Sequence, residues 1–337
     1  MSTASYPVTI LGTGSSVPTR VVTNEELSKS VETSHEWIIS RTGIRERRVA
    51  SQDETTSEMG ARASSAAIAA SGIAVSDIDA VIACTMTADM AFPSAACLIQ
   101  EKLGLPKRTA FDIQAACSGF IYGLEVAASL IQAGVHRHVL LIGSERLSSI
   151  IDWSDRVTCV LFGDGAGAVV LGRGRSHDSG VIGVRTGADG SDAQLLYMPG
   201  GGSNVPASVE SVTSRQHFLR MNGREVFKHA VLVMEDISRE LLREHGVMTH
   251  EIDLVIPHQA NFRIIDTLAE RLKIPIEKFF VNLDRYGNTS AASIPLAIDE
   301  AVRSDRLWPG HLVLFVAFGA GLTWGAALVR WPGREHK

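Results

Sequence analysis

Short apolar, strand-like runs recur along the chain at residues 6–11, 80–83, 138–142, 254–256 and 312–316. Between them lie Ala-rich stretches of helical character, such as 60–70 and 120–133. This alternation predicts βαβ units, an α/β fold and a mostly parallel sheet. The pattern also repeats. Ile78-Asp79-Ala80-Val81-Ile82 matches Ile252-Asp253-Leu254-Val255-Ile256 at an offset of 174 residues. Val139-Leu140-Leu141-Ile142 matches Leu312-Val313-Leu314-Phe315 at 173, and Leu105-Pro106 with Ala110-Phe111 echoes Ile274-Pro275 with Phe279-Phe280 at 169. Three matches in one order at nearly one offset predict two similar halves, 1–175 and 176–337. One segment breaks the regularity. Residues 186–216 are rich in Gly, Ser, Pro and Asn and read as an extended surface loop, functional or merely connecting.

The repeat bears on chemistry. Cys84 lies 174 residues before His258, and Cys117 lies 171 before Asn288. Equivalent turns of two pseudo-symmetric halves face each other across the seam. Cys117, His258 and Asn288 are therefore expected to converge at one site there.

Composition narrows the class. The chain has 337 residues, 45% hydrophobic and 20% charged, with a formal net charge of −5. With a pI near 6.1, it lacks the basic balance of a nucleic-acid binder. No apolar run approaches the ~20 residues of a membrane span. Residues 1–7 contain no basic residue and no long apolar stretch follows, so no secretory leader is expected and a cytoplasmic location is. The four cysteines, Cys84, Cys97, Cys117 and Cys159, have irregular spacing and no C-x-x-C, which argues against disulfides and zinc. No metal site is expected.

Cys117 stands in Asp112-Ile113-Gln114-Ala115-Ala116-Cys117-Ser118-Gly119-Phe120, between an apolar strand and an Ala/Leu-rich helix. A thiol at a helix N-terminus is biased toward thiolate; a buried structural cysteine is the alternative. His258, in Val255-Ile256-Pro257-His258-Gln259-Ala260-Asn261, follows a strand and opens a helix-like stretch. Held neutral there, its ring is able to donate Nε2–H to a developing oxyanion; otherwise it is a capping or core histidine. Asn288, in Tyr286-Gly287-Asn288-Thr289-Ser290-Ala291-Ala292-Ser293, reads as a second donor to that oxyanion or as a helix cap. Phe318-Gly319-Ala320-Gly321-Leu322-Thr323-Trp324-Gly325 reads as a tight turn whose N–H, with that of Cys117, forms an oxyanion hole, or as a plain strand-to-strand turn. Gly12-Thr13-Gly14 and Gly163-Asp164-Gly165-Ala166-Gly167 lack nucleotide-binding spacing and read as close-packing turns.

Taken together, Ala115-Ala116-Cys117-Ser118-Gly119-Phe120, Pro257-His258-Gln259-Ala260-Asn261 and Gly287-Asn288-Thr289-Ser290-Ala291-Ala292-Ser293 resemble the β-ketoacyl-acyl-carrier-protein synthase III family. Glu36-Trp37-Ile38-Ile39-Ser40-Arg41-Thr42-Gly43-Ile44-Arg45-Glu46-Arg47 and Phe162-Gly163-Asp164-Gly165-Ala166-Gly167-Ala168 extend the likeness over nearly the whole chain. The resemblance implies the thiolase fold, a duplicated five-layered αβαβα architecture, and a homodimer. It implies that Cys117 takes an acyl group from acyl-CoA. His258 and Asn288 then hold the thioester oxygen of malonyl-carrier protein as decarboxylation makes the attacking carbanion. No cofactor is implied.

By the same resemblance, Ala320 supplies the oxyanion N–H beside that of Cys117, where a glycine is also common. Trp37 and Arg156 sandwich the adenine of CoA. Arg41 and Asn261 line its tunnel with Phe227. Phe92 closes the acyl pocket, often from across the dimer, and its bulk points to an acetyl or other short primer. Arg224, Lys228, Arg263 and Arg271 form a basic rim for an acidic carrier protein, interrupted by Glu270. Two departures bear on acyl-chain or acceptor choice: Arg224 stands where some members have Asn, and the 186–216 loop is longer than in the simplest members. Relatives in specialised metabolism transfer acyl groups to other acceptors with the same three residues.

Other classes fit less well. A papain-like hydrolase also orders Cys, His, Asn, but the flanking residues here lack its Cys context. A silent scaffold has no need for all three reactive side chains. A thiolase requires a second cysteine near the C-terminal Gly-rich turn, and no cysteine follows Cys159.

Overall fold

The segment Ala80-Val81-Ile82-Ala83-Cys84 turns Ala80, Ile82 and Cys84 toward one hydrophobic core, and Val81 and Ala83 toward another. A strand covered on both faces has no polar side to show, which is why its sequence is apolar throughout. The same division splits residues 312–318: Val313, Phe315 and Ala317 face the core they share with Ile82, while Leu312, Leu314, Val316 and Phe318 face a third.

The computed structural model describes residues 6–174, 176 and 179–332. The strands are β1 (Val8–Ser16), β2 (Val21–Thr23), β3 (Glu46–Arg48), β4 (Ala80–Cys84), β5 (Thr109–Ile113), β6 (His138–Glu145), β7 (Gly165–Arg173), β8 (Gly180–Ala188), β9 (Leu196–Tyr197), β10 (Arg220–Met221), β11 (Leu254–Pro257), β12 (Leu312–Gly319) and β13 (Thr323–Arg330). The helices are α1 (Asn24–Leu27), α2 (His35–Thr42), α3 (Thr56–Ser71), α4 (Ala95–Lys102), α5 (Gly119–Gln132), α6 (Arg156–Cys159), α7 (Val209–Thr213), α8 (Gly223–Glu244), α9 (Phe262–Leu272), α10 (Leu283–Tyr286) and α11 (Ser293–Arg303).

One sheet has the order β1-β7-β6-β4-β5 and the other β11-β12-β13-β8. An isolated parallel bridge from Val255 to Phe279 adds a fifth position beside β11, so the second sheet repeats the first. Both are mixed. The βαβ alternation legible in the sequence marks the parallel side, β5-β4-β6 and β11-β12. The antiparallel share is larger than that alternation implies, because β7 and β13 return directly beside β6 and β12.

Helix α3 covers the outer face of the first sheet and α8 that of the second, while α5 and α11 lie between the sheets. The layers therefore run helix, sheet, helix, sheet, helix. Strand β1 carries Gly12 and Gly14 against α3, where an added Cβ on either would lie 2.4 Å from α3 backbone. These two glycines serve close packing as expected, but within a strand and not a turn.

The expected loop at 186–216 is more ordered than its composition suggests. Strand β8 runs through Ala188, β9 pairs with β10, and Ser208 and Ser211 form a reciprocal capping box at the start of α7. Its polar residues satisfy local backbone groups, which a composition reading takes for solvation. The half boundary expected after residue 175 falls at a position outside the described residues. So do residues 1–5 of the expected leaderless N-terminus. Among the described residues, no helix is long and apolar enough to cross a membrane.

Candidate active site

The turn after β5 holds Cys117. Ala116 takes φ 44°, a short 3-10 turn covers Ala116–Ser118, and α5 begins at Gly119. Two bonds clamp the turn to β13: Ser118 Oγ donates to Thr323 O at 3.0 Å, and Thr323 Oγ1 donates to Ala115 O at 3.0 Å. Gly319 ends β12 so close to the nucleophile turn that an added Cβ would lie 2.7 Å from Cys117 N. The thiol is buried. The sequence places it at a helix N-terminus, yet burial outweighs that bias and pushes the thiol up to about 12, with a hydrogen bond from Ser290 working the other way.

His258 follows β11 and its backbone N–H donates to Val316 O at 2.8 Å. Helix α9 starts only at Phe262, capped by Asn261, so His258 does not open a helix. Its neutrality has a different cause from the expected helix dipole: burial drives the ring down to about 3. Nδ1 lies 2.7 Å from Ser293 Oγ, and Gln259 N–H donates to that same oxygen at 3.4 Å. The Ser293 hydroxyl has one proton and two acceptor sites, so the contact admits either imidazole tautomer; with that proton given to Nδ1, Nε2–H is left to donate into the site.

Asn288 is fixed at both ends of its backbone: its N–H donates to Leu161 O, and its C=O accepts from Gly163 N–H. Its Oδ1 accepts from Ser290 N–H at 2.8 Å. The helix cap expected as an alternative is not formed: the residue capping the 290–292 turn is Thr289, which makes no side-chain cap bond, and Asn288 makes a turn bond through its oxygen alone, its NH2 having no hydrogen-bond partner among the described residues.

Cys117, His258 and Asn288 line one cavity of about 140 Å³, with Phe227, Asn261 and Gly319 among its other walls. A second cavity, of about 520 Å³, also has Cys117 in its wall and shares Phe162 and Leu196 with the first; Met86, Met198, Ala320 and Gly200 contribute to it. Ala320 and Cys117 thus line the same second cavity, and the ordered 186–216 segment forms part of its wall.

Around the first cavity, Asn261 Nδ2 donates to Arg41 O at 3.1 Å, and the Arg263 guanidinium lies 5.8 Å from the Phe227 ring centre. The Arg156 guanidinium stacks 5.2 Å from the ring centre of the half-exposed Trp37. Arg224 and Lys228 are exposed one turn apart on α8. Arg271 differs: at the far end of α9, it is ion-paired with Glu235, which also holds Arg239. Phe92 is 85% exposed and lies on no wall of either cavity.

Three residues that touch this constellation had no assigned part in the sequence reading: Ser290, Ser293 and Glu145. The two serines sit inside the Gly287–Ser293 stretch already singled out. Glu145 had one usable signal, a lone carboxyl closing a strand with the apolar run Val139–Ile142. Among the described residues, no group of three or more His, Cys, Asp or Glu is placed to hold a metal.

Comparison with known proteins fits this architecture. Residues 111–190 match the family model for 3-oxoacyl-[acyl-carrier-protein (ACP)] synthase III, and residues 242–331 match that of its C-terminal part. A β-ketoacyl-[acyl-carrier-protein] synthase III of Natranaerobius thermophilus is 53% identical over 96% of this chain and 98% of its own length. One from Caldanaerobacter subterraneus is 50% identical over 96% and 97%. The crystal structure of 3-oxoacyl-[acyl-carrier-protein] synthase III from Aquifex aeolicus is 48% identical, with TM-score 0.90 over 96% of this chain and all of that one. The priming β-ketosynthase of the R1128 polyketide pathway is 37% identical, with TM-score 0.91 over 98% of each chain. The molecule is a condensing acyltransferase with the thiolase fold, as the motifs lead one to expect. The chain belongs to the 3-oxoacyl-[acyl-carrier-protein] synthase III family, the condensing enzymes that initiate fatty acid synthesis.

Proposed function

We propose that the protein condenses a short acyl-CoA, acetyl-CoA in the first instance, with malonyl-acyl carrier protein through an acyl-Cys117 intermediate. The convergence of Cys117, His258 and Asn288 on one cavity carries this reading. Cys117 sulfur attacks the acyl-CoA thioester, and the N–H groups of Cys117 and Ala320 hold the oxyanion until CoA departs. The malonyl thioester then loses CO2. Nε2–H of His258 and Nδ2–H of Asn288 hold the enolate oxygen that forms, which is the charge neutral donors in a dry site stabilise best. The carbanion attacks the acyl-Cys117 carbonyl and expels the sulfur.

Trp37 and Arg156 hold the adenine of CoA, and Arg41, Asn261 and Phe227 guide its arm toward Cys117. Arg224, Lys228 and Arg263 receive the carrier protein. Arg271 contributes least, because Glu235 already answers its charge. The protein acts in the cytoplasm as a homodimer without metal or cofactor, its two similar halves meeting at residues 175–176. The exposed Phe92 suits delivery to the partner's acyl pocket.

A second reading, an acyltransferase of specialised metabolism with another acceptor, draws on the likeness to the polyketide priming synthase. Intact-protein mass separates the two. Acetyl-CoA should add one acetyl group to Cys117, and malonyl-carrier protein should remove it as acetoacetyl-carrier protein forms. An adduct that malonyl-carrier protein leaves in place favours the second reading. No adduct with acetyl or longer primers overturns both.

A further inference from the structure

Arg47, in the middle of β3, is a charged side chain shut off from solvent. Among the described residues it forms no ion pair, and its guanidinium donates to oxygens of neutral groups. Nη1 reaches Val22 O at 3.1 Å and Asn24 Oδ1 at 2.9 Å, and Nη2 reaches Val160 O at 2.8 Å. Nε has no partner among the described residues. Asn24 is buried too, and its Nδ2 donates to Ile44 O at 2.8 Å, which locks its oxygen in place for Arg47. Burial pulls the guanidinium down to about 10, which leaves it charged at neutral pH.

Packing alone does not call for this charge. Even a well-paired buried charge is often replaced by an apolar side chain at no loss of stability, and Arg47 has only neutral partners. What an apolar side chain cannot do is hold oxygens of separate segments in one plane, as the guanidinium fork does. Val22 and Asn24 lie in β2 and α1, close in sequence to β3. Val160, the residue after α6, is the distant partner.

Val160 leads into residues 161–163, and this strap carries Asn288. Leu161 O accepts Asn288 N–H at 2.8 Å, Gly163 N–H donates to Asn288 O at 3.0 Å, and Phe162 and Asn288 form an isolated parallel bridge. A Cβ on Gly163 would lie 2.2 Å from Tyr286 O and 3.1 Å from Arg47 Cβ; one on Gly287 would lie 2.8 Å from Leu161 O and 3.2 Å from Arg47 Cβ. The Arg47 stem therefore sits beside both runs of this pairing. The Asn288 side chain is held separately. Its Oδ1 takes the Ser290 N–H, and the Ser290 hydroxyl donates at 3.1 Å to the buried Glu145, which also accepts from Thr85, Met86 and Thr87. With backbone and Oδ1 both fixed, the direction of the NH2 follows.

We propose that Arg47 is a positioning residue for Asn288: by fixing Val160 it sets the 161–163 strap, and the strap sets where the Asn288 NH2 stands in the site. This rests on Asn288 holding the enolate oxygen, as proposed above. Arg47 lines neither cavity, so its influence on the substrate passes through Asn288. Arg156, at the other end of α6, has anchors of its own in Glu32 O and the Trp37 ring. Acetyl-CoA binding is therefore expected to be spared.

The test separates the two half-reactions. Arg47→Met is made alone and together with Asn288→Ala. Acetyl loading on Cys117 is read by intact-protein mass, and decarboxylation of malonyl-carrier protein by release of labelled CO2. Arg47→Met should slow decarboxylation at least ~10-fold and leave acetyl loading and KM for acetyl-CoA within about twofold. Added to Asn288→Ala it should slow decarboxylation no further, because an effect carried by one residue disappears with that residue. Arg47→Lys keeps the charge without the fork and should fall between wild type and Arg47→Met. Thermal melts report folding, and Arg47→Lys carries the same comparison if Arg47→Met fails to fold. Folded variants that slow both half-reactions alike, or slow decarboxylation by the same factor with and without the Asn288 side chain, overturn the assignment, since either result marks a merely structural charge. So does a wild-type rate of decarboxylation. Asn288→Ala that decarboxylates as wild type overturns the role given to Asn288 above, and that of Arg47 with it.

Discussion

Ala116 and Ser290, 174 residues apart, take the same left-handed backbone conformation, φ 44° and φ 50°, each opening a short 3-10 turn that leads into a central helix. Each costs of order 1–3 kcal/mol for a residue with a Cβ. Repeating that strain at matched positions marks two equivalent elbows. The elbows meet in space: a Cβ on Gly143 would lie 2.2 Å from Ala291 O, and one on Gly119 would touch Cys84 and Ala291. The residue after the first elbow is Cys117 and after the second is Ala291, so only one of the two presents sulfur.

Gly319 fixes the distance between the end of β12 and Cys117. Gly319→Ala would place a methyl 2.7 Å from Cys117 N, which the backbone must move to avoid. Acyl-adduct formation should fall about 100-fold, the cost of displacing a reacting atom by ~1 Å. Time-resolved intact mass measures it, and an unchanged rate would show that the nucleophile turn yields without penalty.

The two neutral N–H donors, one imidazole and one amide, act after acylation. His258→Ala and Asn288→Ala should each load acetyl on Cys117 yet lose about 10²–10³-fold in malonyl-thioester decarboxylation. Ser293→Ala removes the hydroxyl that holds the imidazole at Nδ1 and should give a smaller loss in the same step. Release of labelled CO2 follows all three. Normal decarboxylation by His258→Ala would remove it from the assigned role.

Trp37 is an exposed stacking surface backed by Arg156. Base stacking is worth about 1–3 kcal/mol, so Trp37→Ala should raise KM for acetyl-CoA roughly 5- to 150-fold at little change in kcat. Steady-state kinetics with a short pantetheine thioester, which lacks adenine, should show no such effect.

Arg224 and Lys228 stand exposed, whereas Arg271 is neutralised by Glu235. Arg224→Glu and Lys228→Glu should raise KM for malonyl-carrier protein and flatten its salt dependence, while malonyl-CoA is used as before. Arg271→Gln should change neither. Equal effects from all three would dissolve the distinction.

Glu145 also leaves a mark on stability. Its folded value of about 7 lies above the ordinary 4.5, so the native state holds a proton that the unfolded chain releases between them. That contribution is fully present below pH 4.5 and is lost as pH rises through 7, ~3 kcal/mol in all. Urea unfolding of wild type and Glu145→Gln at pH 5 and pH 8 should show the wild-type advantage shrinking by about that amount. A pH-independent difference would mean the carboxyl titrates normally.

Much of this was legible before any coordinates. The repeated apolar runs foretold two matching sheets, since a buried strand has to be apolar on both faces and a duplicated sheet repeats that demand. The Cys and His motifs could be picked out because each follows a strand, whereas Asn288 follows α10 and stood out only by its Gly-Asn-Thr-Ser context. What escaped was partnership. Nothing local tells that Ser293, 35 residues from His258, holds its ring, or that Glu145 accepts a bond from Ser290. The Gly/Ser composition of 186–216 likewise hid its order, because a capping box depends on geometry and not on content. The reason for a neutral His258 was misread for a similar cause: burial is a property of the whole fold, while a helix terminus can be guessed from neighbours.

The middle layer has a practical consequence. Helix α11 comes from the C-terminal part of the chain yet packs mainly on β1 and β7, and α5, from the N-terminal part, reaches β8 and β13. Ile121, Leu124, Ile294 and Ile298 share one core with strands of both sheets. Recombining relatives by swapping everything before or after the midpoint would pair each sheet with a stranger's helix. The natural unit of exchange in this enzyme is a layer, drawn from both ends of the gene.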